Sequence, residues 1–205
     1  MKVIGLCGGS GSGKGCVAEF FKAYGIHSVD TDMVYREITS AGGKCLKALV
    51  SQFGDSIIAA DGSLDRSRLR TLVFEGDGAE DRRLILNRIS HKFILDRTEE
   101  ILCEFKKRGD VAAIVDAPLL FESGFNKKCD SILAVIADEE VRINRIVGRD
   151  GISIAEAKKR IGSQISNDRL MELSDYHIVN NGNFSELEEQ VRQIAEQIIN
   201  SKEVN

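Results

Sequence analysis

The stretch GLCGGSGSGKGCVAEFF, from Gly5 to Phe21, decides how this chain is read. A short apolar run from Lys2 to Leu6 leads into it, glycines crowd its middle, and an amphipathic segment leaves it. That order predicts a buried strand, a tight loop and a helix start. Such a junction turns the backbone N–H groups of Gly9, Ser10, Gly11, Ser12 and Gly13 toward an anion at the positive end of the helix dipole. Gly8, four residues, Gly13 and Lys14 then satisfy seven of the eight positions of a Walker A phosphate loop, with Lys14 placed to reach the β- and γ-phosphates of a nucleotide. The eighth position departs from the pattern. A serine or threonine there would hold magnesium through its hydroxyl, but the residue is Gly15, followed by Cys16. Two readings stay open: magnesium held by phosphates, waters and nearby carboxylates with weaker affinity, or nucleotide binding without efficient turnover. The remaining catalytic parts favour the first.

Outward from the loop, the runs Ile26–Val29, Val111–Val115, Ser131–Ile136 and Tyr176–Val179 are near-continuously apolar rather than alternating. Strands of that kind are buried on both faces, and helical stretches separate them. The expected fold class is α/β: a P-loop NTPase-type, three-layer α/β/α unit with a five-stranded parallel sheet, a helical insert and a helical lid. The whole chain, 1–205, reads as one unit with core segments 1–34, 96–137 and 170–205, a substrate insert at 35–95 and a lid at 138–169. Within the insert, Asp61-Gly62 is a turn signal. Asp65 caps a helix whose Leu69, Leu72 and Val73 share a face. In the lid, Asp138 is expected to cap a helix carrying Arg142, Arg145 and Arg149 on one side. Ser153 and Glu156 have capping-box spacing and start a further helix through about Ile165. Ser185 and Glu188 have the same spacing before a last helix buried through Leu187, Val191, Ile194 and Ile198.

Composition removes whole classes of function. With 205 residues, 42% hydrophobic, 29% charged and a net charge of −4, the chain has the balance of a soluble globular protein. Its longest apolar stretch, Ile132 to Ala137, is far short of the roughly 20 residues that span a bilayer, and no signal-peptide pattern opens it. The 5 cysteines, Cys7, Cys16, Cys45, Cys103 and Cys129, stand far apart with no CxxC pair. That spacing indicates neither a zinc site nor a disulfide framework and fits the cytoplasm. Acidic balance argues against a nucleic-acid binder, and Lys158, Lys159 and Arg160 read as a solvated helix face.

The acceptor side of a phosphotransfer site is expected after the second strand. VDTD places Asp30 and Asp32 where open α/β sheets bind ligands, and alternation along an extended segment would point both the same way. Asp32 is the candidate base for an acceptor hydroxyl, while one of the two aspartates caps the helix beginning near Met33. Asp116, ending the third strand in AAIVDAPLLFE, is placed like a Walker B carboxylate that supports magnesium indirectly, through water. His91, in RISHKF, has no neighbouring His or Cys. It reads either as a partly buried, hydrogen-bonded histidine or as a substrate contact. Arg145 and Arg149 suit a mobile cationic face closing over phosphates, whereas Arg142 reads as a solvated helix side with Glu139 and Glu140 as partners.

Taken in order, these motifs resemble the dephospho-coenzyme A kinase family across essentially the whole chain. GLCGGSGSGKG is similar to that family's GLTGGIGSGKS loop, VDTD to its aspartate-any-aspartate signature, and DGSLDRSRLRTLVF to its long mid-chain motif. LNRISHK, IVDAPLLFE, INRIVGRD and IVNNG match the remainder, with Gly15, Cys16 and Lys92 as departures. The resemblance implies transfer of the ATP γ-phosphoryl group to the ribose 3′-hydroxyl of dephospho-coenzyme A, with Mg2+ accompanying ATP. It further implies that Asp32 orients or deprotonates that hydroxyl, that Lys14 with Gly9 to Cys16 holds the ATP phosphates, and that Arg145 and Arg149 belong to the lid. Arg36, His91 and Glu122 match positions lining the substrate side, and Asn180 the loop near the adenine. The implied partners are the small molecules ATP and dephospho-coenzyme A, with no nucleic acid and no membrane; oligomeric state stays open. A GTP-dependent switch would need DxxG and NKxD, and in Asn126-Lys127-Lys128-Cys129-Asp130 the aspartate falls one residue late. Another nucleoside or metabolite kinase, and a nucleotide- or coenzyme-binding protein with impaired catalysis, remain as alternatives.

Overall fold

The computed structural model describes residues 1–118 and 120–200. Leu119 of the PLLFE stretch and residues 201–205 of the expected core segment lie outside the described residues. Along the chain run β1 (Lys2–Cys7), α1 (Lys14–Phe21), β2 (His27–Asp30), α2 (Thr31–Ile38), α3 (Lys44–Phe53), α4 (Arg66–Phe74) and α5 (Ala79–Arg108). There follow β3 (Ala112–Asp116), β4 (Ser131–Ile136), α6 (Glu139–Asp150), α7 (Ile154–Gly162), α8 (Asn167–Glu172), β5 (Tyr176–Val179) and α9 (Phe184–Asn200). Two compact units divide the chain, Met1–Val29 with Glu104–Asn205, and Asp30–Cys103.

The first unit holds a five-stranded sheet in the order β2-β3-β1-β4-β5, in which β1 runs parallel to β3 and β4, and β4 parallel to β5. Ile4, Leu6, Ile114, Leu133 and Val135 are fully buried, as strands covered on both faces require. Against them pack Val17 and Phe21 of α1 and the stripe Leu187, Val191, Ile194 and Ile198 of α9. Each large side chain removed from water in this way contributes roughly 1.5–3 kcal/mol. Strand β5 lies at the sheet edge, and there Gln190 of α9 reaches over. Its side-chain amide accepts from Val179 N and donates to Val179 O, both at 3.0 Å.

Several local expectations are corrected. The cap of α9 is Asn183, not Ser185: Asn183 Oδ1 accepts from Glu186 N at 3.0 Å and Asn183 Nδ2 donates to the Glu186 carboxylate, so the helix starts two residues earlier. Asp138 precedes α6, but its side chain caps nothing, and its backbone N–H donates to Asn181 Oδ1 at 2.8 Å. The Ser153–Glu156 capping box is present, yet α7 stops at Gly162 and a separate α8, capped by Ser166, follows. Ile143, Ile146 and Ala157 pin α6 to α7.

The second unit is helical. Asp65 caps α4 by accepting from Arg68 N, and Leu69, Leu72 and Val73 join Cys45, Leu46, Leu49 and Ile57 in its core. At Asp61-Gly62 the chain turns with Gly62 at φ 80° and Ser63 N donating to Asp61 Oδ1. Arg82 donates to the carbonyls of Leu72, Glu75 and Asp77, which closes the α4–α5 connection. Among the described residues, no helix is long and apolar enough to cross a membrane.

Candidate active site

The loop joining β1 to α1 is built as its glycines demand. Gly13 stands before the helix at φ 95°, a left-handed conformation that L side chains rarely adopt, and no side chain caps α1. The N–H groups of Lys14 and Gly15 are therefore open to an outside acceptor, while those of Cys16 and Val17 donate to Gly13 O. The N–H groups of Gly11 and Gly13 also make no hydrogen bond among the described residues. Ser12 Oγ, buried in the loop, has no partner there either. Unbonded donors and a buried hydroxyl at a helix start are polar groups of the kind a phosphate satisfies.

Side chains from the far end of the chain hold the loop's carbonyls. Arg142 Nε donates to Ser10 O at 2.9 Å, Arg145 Nη1 to Gly11 O at 3.3 Å, and Asn180 Nδ2 to Ser12 O at 2.7 Å. Arg145 also reaches Asn180 O at 3.0 Å and Asn180 Oδ1 at 3.3 Å, so arginine, asparagine and loop form one network. Lys14 Nζ donates to Gly8 O at 2.9 Å. The reading of Arg142 as a solvated side chain is overturned: it is only 4% exposed. The face that α6 turns inward carries Arg142 together with Ile143 and Ile146, and burial lowers its pKa from the ordinary guanidinium value despite the charge of Glu139. Arg149 points elsewhere, being exposed and bonded to the Asp150 carboxylate, which Arg160 also binds. These two guanidiniums hold Asp150 well below the usual carboxylate range.

Asp116 ends β3 as expected, and Asp116 and Lys14 both act on the Cys7 thiol. Burial pushes that thiol up to about 11, so Cys7 stays protonated and unreactive at neutral pH, while Cys16 is exposed in the first turn of α1. Around Gly15 there is open space: a Cβ placed on it meets nothing within 4 Å. Glu122 is exposed. In the second unit, Asp30 is the cap of α2, its Oδ1 accepting from Asp32 N at 2.8 Å and from Met33 N at 3.2 Å. Asp32 thus lies in the first helical turn, which corrects the expectation of two aspartates aligned along an extended segment. Asp32 and Arg36, four residues apart on α2, are exposed on one helix face, and His91 is half-buried on α5. Gln164 was not singled out from sequence. It accepts from Ser10 N at 2.9 Å and donates to Ser10 Oγ at 3.0 Å, and nothing in the hydrophobic pattern of its exposed segment marks it.

Residues 2–186 match the family model described as dephospho-CoA kinase. The chain belongs to the dephospho-CoA kinase family. It is 37% identical over 196 residues to the dephospho-CoA kinase of Fusobacterium nucleatum, covering 96% of this chain and 98% of that one. To the Staphylococcus aureus dephospho-CoA kinase it is 36% identical, covering 96% and 93%. In fold it is similar to the solved dephospho-CoA kinase of Campylobacter jejuni, with a TM-score of 0.72, 22% identity and 98% of each chain covered. A dephospho-CoA kinase family member with this P-loop α/β fold is an ATP-dependent phosphotransferase of coenzyme A biosynthesis, as the sequence motifs anticipated. The network around Ser10, Gly11 and Ser12 thus lies within the stretch that the family model covers.

Proposed function

We propose that this protein transfers the γ-phosphoryl group of ATP to the ribose 3′-hydroxyl of dephospho-coenzyme A, yielding coenzyme A and ADP. The observation that carries the reading is the phosphate loop, with its unbonded N–H groups, Lys14 at its mouth and its carbonyls held by Arg142, Arg145 and Asn180. In this reading Gly9 to Cys16 and Lys14 bind the ATP phosphates. The acceptor hydroxyl gives its proton to Asp32 as its oxygen bonds to phosphorus, and the bond to the leaving ADP oxygen breaks. Arg36, His91 and Glu122 recognise the acceptor, the segment 35–95 forms its binding insert, and Asn180 approaches the adenine. Segment 138–169 acts as a lid in which Arg149 exchanges Asp150 for the transferring phosphoryl group. The protein works in the cytoplasm.

Magnesium is assigned here as the partner of ATP, where it neutralises charge developing on the phosphate oxygens. The loop supplies it no hydroxyl, because Gly15 has no side chain. Asp116 is the carboxylate of the first unit proposed to support it through water. A metal held mainly by phosphates and water binds less tightly than one with a direct protein ligand. Gly15→Ser, for which the structure has room, is expected to lower the magnesium concentration for half-maximal rate by roughly threefold to tenfold. An unchanged or higher requirement in a magnesium titration would count against this account of the metal.

The test of the function itself is ADP formation from ATP, with and without dephospho-coenzyme A, across a magnesium titration, with the product identified by mass. Acceptor-dependent turnover giving coenzyme A is the expected result. Tight ATP binding with no product at any magnesium concentration would make the chain a kinase-fold binder, and turnover with a different acceptor would reassign the substrate.

A further inference from the structure

Ser10 is held at every polar atom it has. Its carbonyl accepts from Arg142 Nε, its N–H donates to Gln164 Oε1, and its hydroxyl accepts from Gln164 Nε2, while Arg142 Nη2 donates to Gln164 Oε1 at 2.8 Å. One arginine and one glutamine therefore grip a single residue at the tip of the loop and brace each other. The approach is as close as backbone allows. A Cβ on Gly9 would meet the end of the Arg142 side chain at Nη2, and one on Gly11 would lie 2.7 Å from the Arg142 carbonyl oxygen. Gly11, whose added Cβ would meet the backbone of Arg142, is thus needed by α6 as well as by the loop's own turn.

The peptide unit explains what the grip does. Across a trans peptide, C=O and N–H point in opposite directions. Fixing the Ser10 carbonyl on Arg142 therefore aims the Gly11 N–H away from α6, and that N–H is one of those left unbonded among the described residues. A carbonyl turned the other way would present a negative oxygen to an incoming phosphate. The guanidinium that prevents this is buried and bonded only to a carbonyl and an amide oxygen; no carboxylate pairs with it among the described residues. A buried cation with no carboxylate in direct contact, only the charge of Glu139 farther off, is costly in isolation, and an anion arriving in the adjoining loop relieves that cost.

We infer that Arg142 and Gln164 are positioning residues for ATP, which hold the tip of the phosphate loop with the Ser10 carbonyl averted and the Gly11 N–H presented, and lend it a buried positive charge. The inference rests on the loop being the ATP site, and it acts through the loop rather than on the reacting atoms. Interactions made equally in ground and transition state alter KM and leave kcat. Arg142→Met keeps the unbranched stem out to about the Nε position and removes both charge and donors. Arg142→Lys keeps the charge on a single donor nitrogen but not the fork.

The experiment measures the dissociation constant of ATP by calorimetry in the absence of any acceptor, then kcat and both KM values. The expected result for Arg142→Met is a roughly tenfold weaker ATP dissociation constant and a parallel rise in KM for ATP, with kcat and acceptor KM within about twofold of wild type. Arg142→Lys should recover part of the loss. Gln164→Ala, at an exposed position that folding tolerates, should weaken ATP roughly threefold and serves if the Arg142 variants fail to fold. A folded Arg142→Met or Gln164→Ala protein that binds ATP within twofold of wild type would overturn the inference. So would an equal rise in both KM values, which would indicate a general structural role. Because ATP binding is read without an acceptor, failure of dephospho-coenzyme A as substrate would leave this outcome legible, and the reverse holds as well.

Discussion

Asp32→Asn is expected to lower kcat by a factor of roughly 10²–10⁴, the range that a positioned general base contributes, while the dissociation constant of ATP stays within about twofold. The geometry makes this a clean substitution. Asp32 is exposed in the first turn of α2, its N–H is taken by Asp30 Oδ1, and its carboxylate makes no hydrogen bond among the described residues. Asparagine keeps the size and the backbone contact and removes only the capacity to accept a proton. Thermal unfolding should shift little, since the cap of the helix is Asp30 and not Asp32. Equal losses in turnover and ATP affinity would move Asp32 to nucleotide binding or to folding; an unchanged kcat would remove it from the chemistry altogether.

Lys14→Met should reduce kcat/KM by at least roughly 10³-fold, comparable to the loss of a principal electrostatic stabiliser at a transferring phosphoryl group. The ammonium donates to the carbonyl of Gly8 at 2.9 Å, a contact internal to the loop and easily exchanged for phosphate oxygen. Its removal leaves one partly buried carbonyl without that donor, so the fold should persist, and circular dichroism with thermal unfolding checks it. Lys14→Arg should not restore activity, because a planar fork cannot replace a compact point charge in a loop this tight. Turnover of the Met variant within tenfold of wild type would mean that Lys14 contributes little beyond the backbone N–H groups.

Much of this molecule was readable from its residues, and the failures have physical causes. Strand β4 falls where an unbroken apolar run placed it, because a strand buried on both faces has nothing else to alternate with; β5 also spans its expected residues, but as an edge strand it buries Ile178 and exposes His177 and Val179, so it is not covered on both faces. Asp65, Ser153 and Glu156 cap helices as their spacing indicates. Ser185 fails as a cap although it has the same spacing to an acid, since Asn183 and Glu186 offer an equivalent pair two residues earlier and the chain takes that one. Alignment of Asp32 with Asp30 requires the strand to continue, but Asp30 caps the very next residues and ends it.

The candidate site divides in the same manner. Phosphate-binding residues are local in sequence, so the loop was legible as a loop. What holds it is not local. Arg142 and Gln164 meet Ser10 across 132 and 154 residues, and an arginine among charged neighbours on an amphipathic helix looks solvated until the packing partner is known. Burial of a charge is decided by tertiary structure: the spacing of Arg142 to Ile143 and Ile146 puts it on the apolar face, but only the packing partner shows that the guanidinium itself is covered there.

Gln190 at the outer strand has a consequence of its own. A side-chain amide offers one donor and one acceptor with the same chemistry as a peptide group, and here it occupies both hydrogen-bonding groups of Val179. The last turn of an exposed ladder is thereby closed by a single residue imitating a neighbouring strand. Unpaired edges are templates on which other chains assemble into aggregates. An edge plugged at Val179 can recruit another chain there only by first displacing the plug, so a helix facing the core also guards the sheet against self-association.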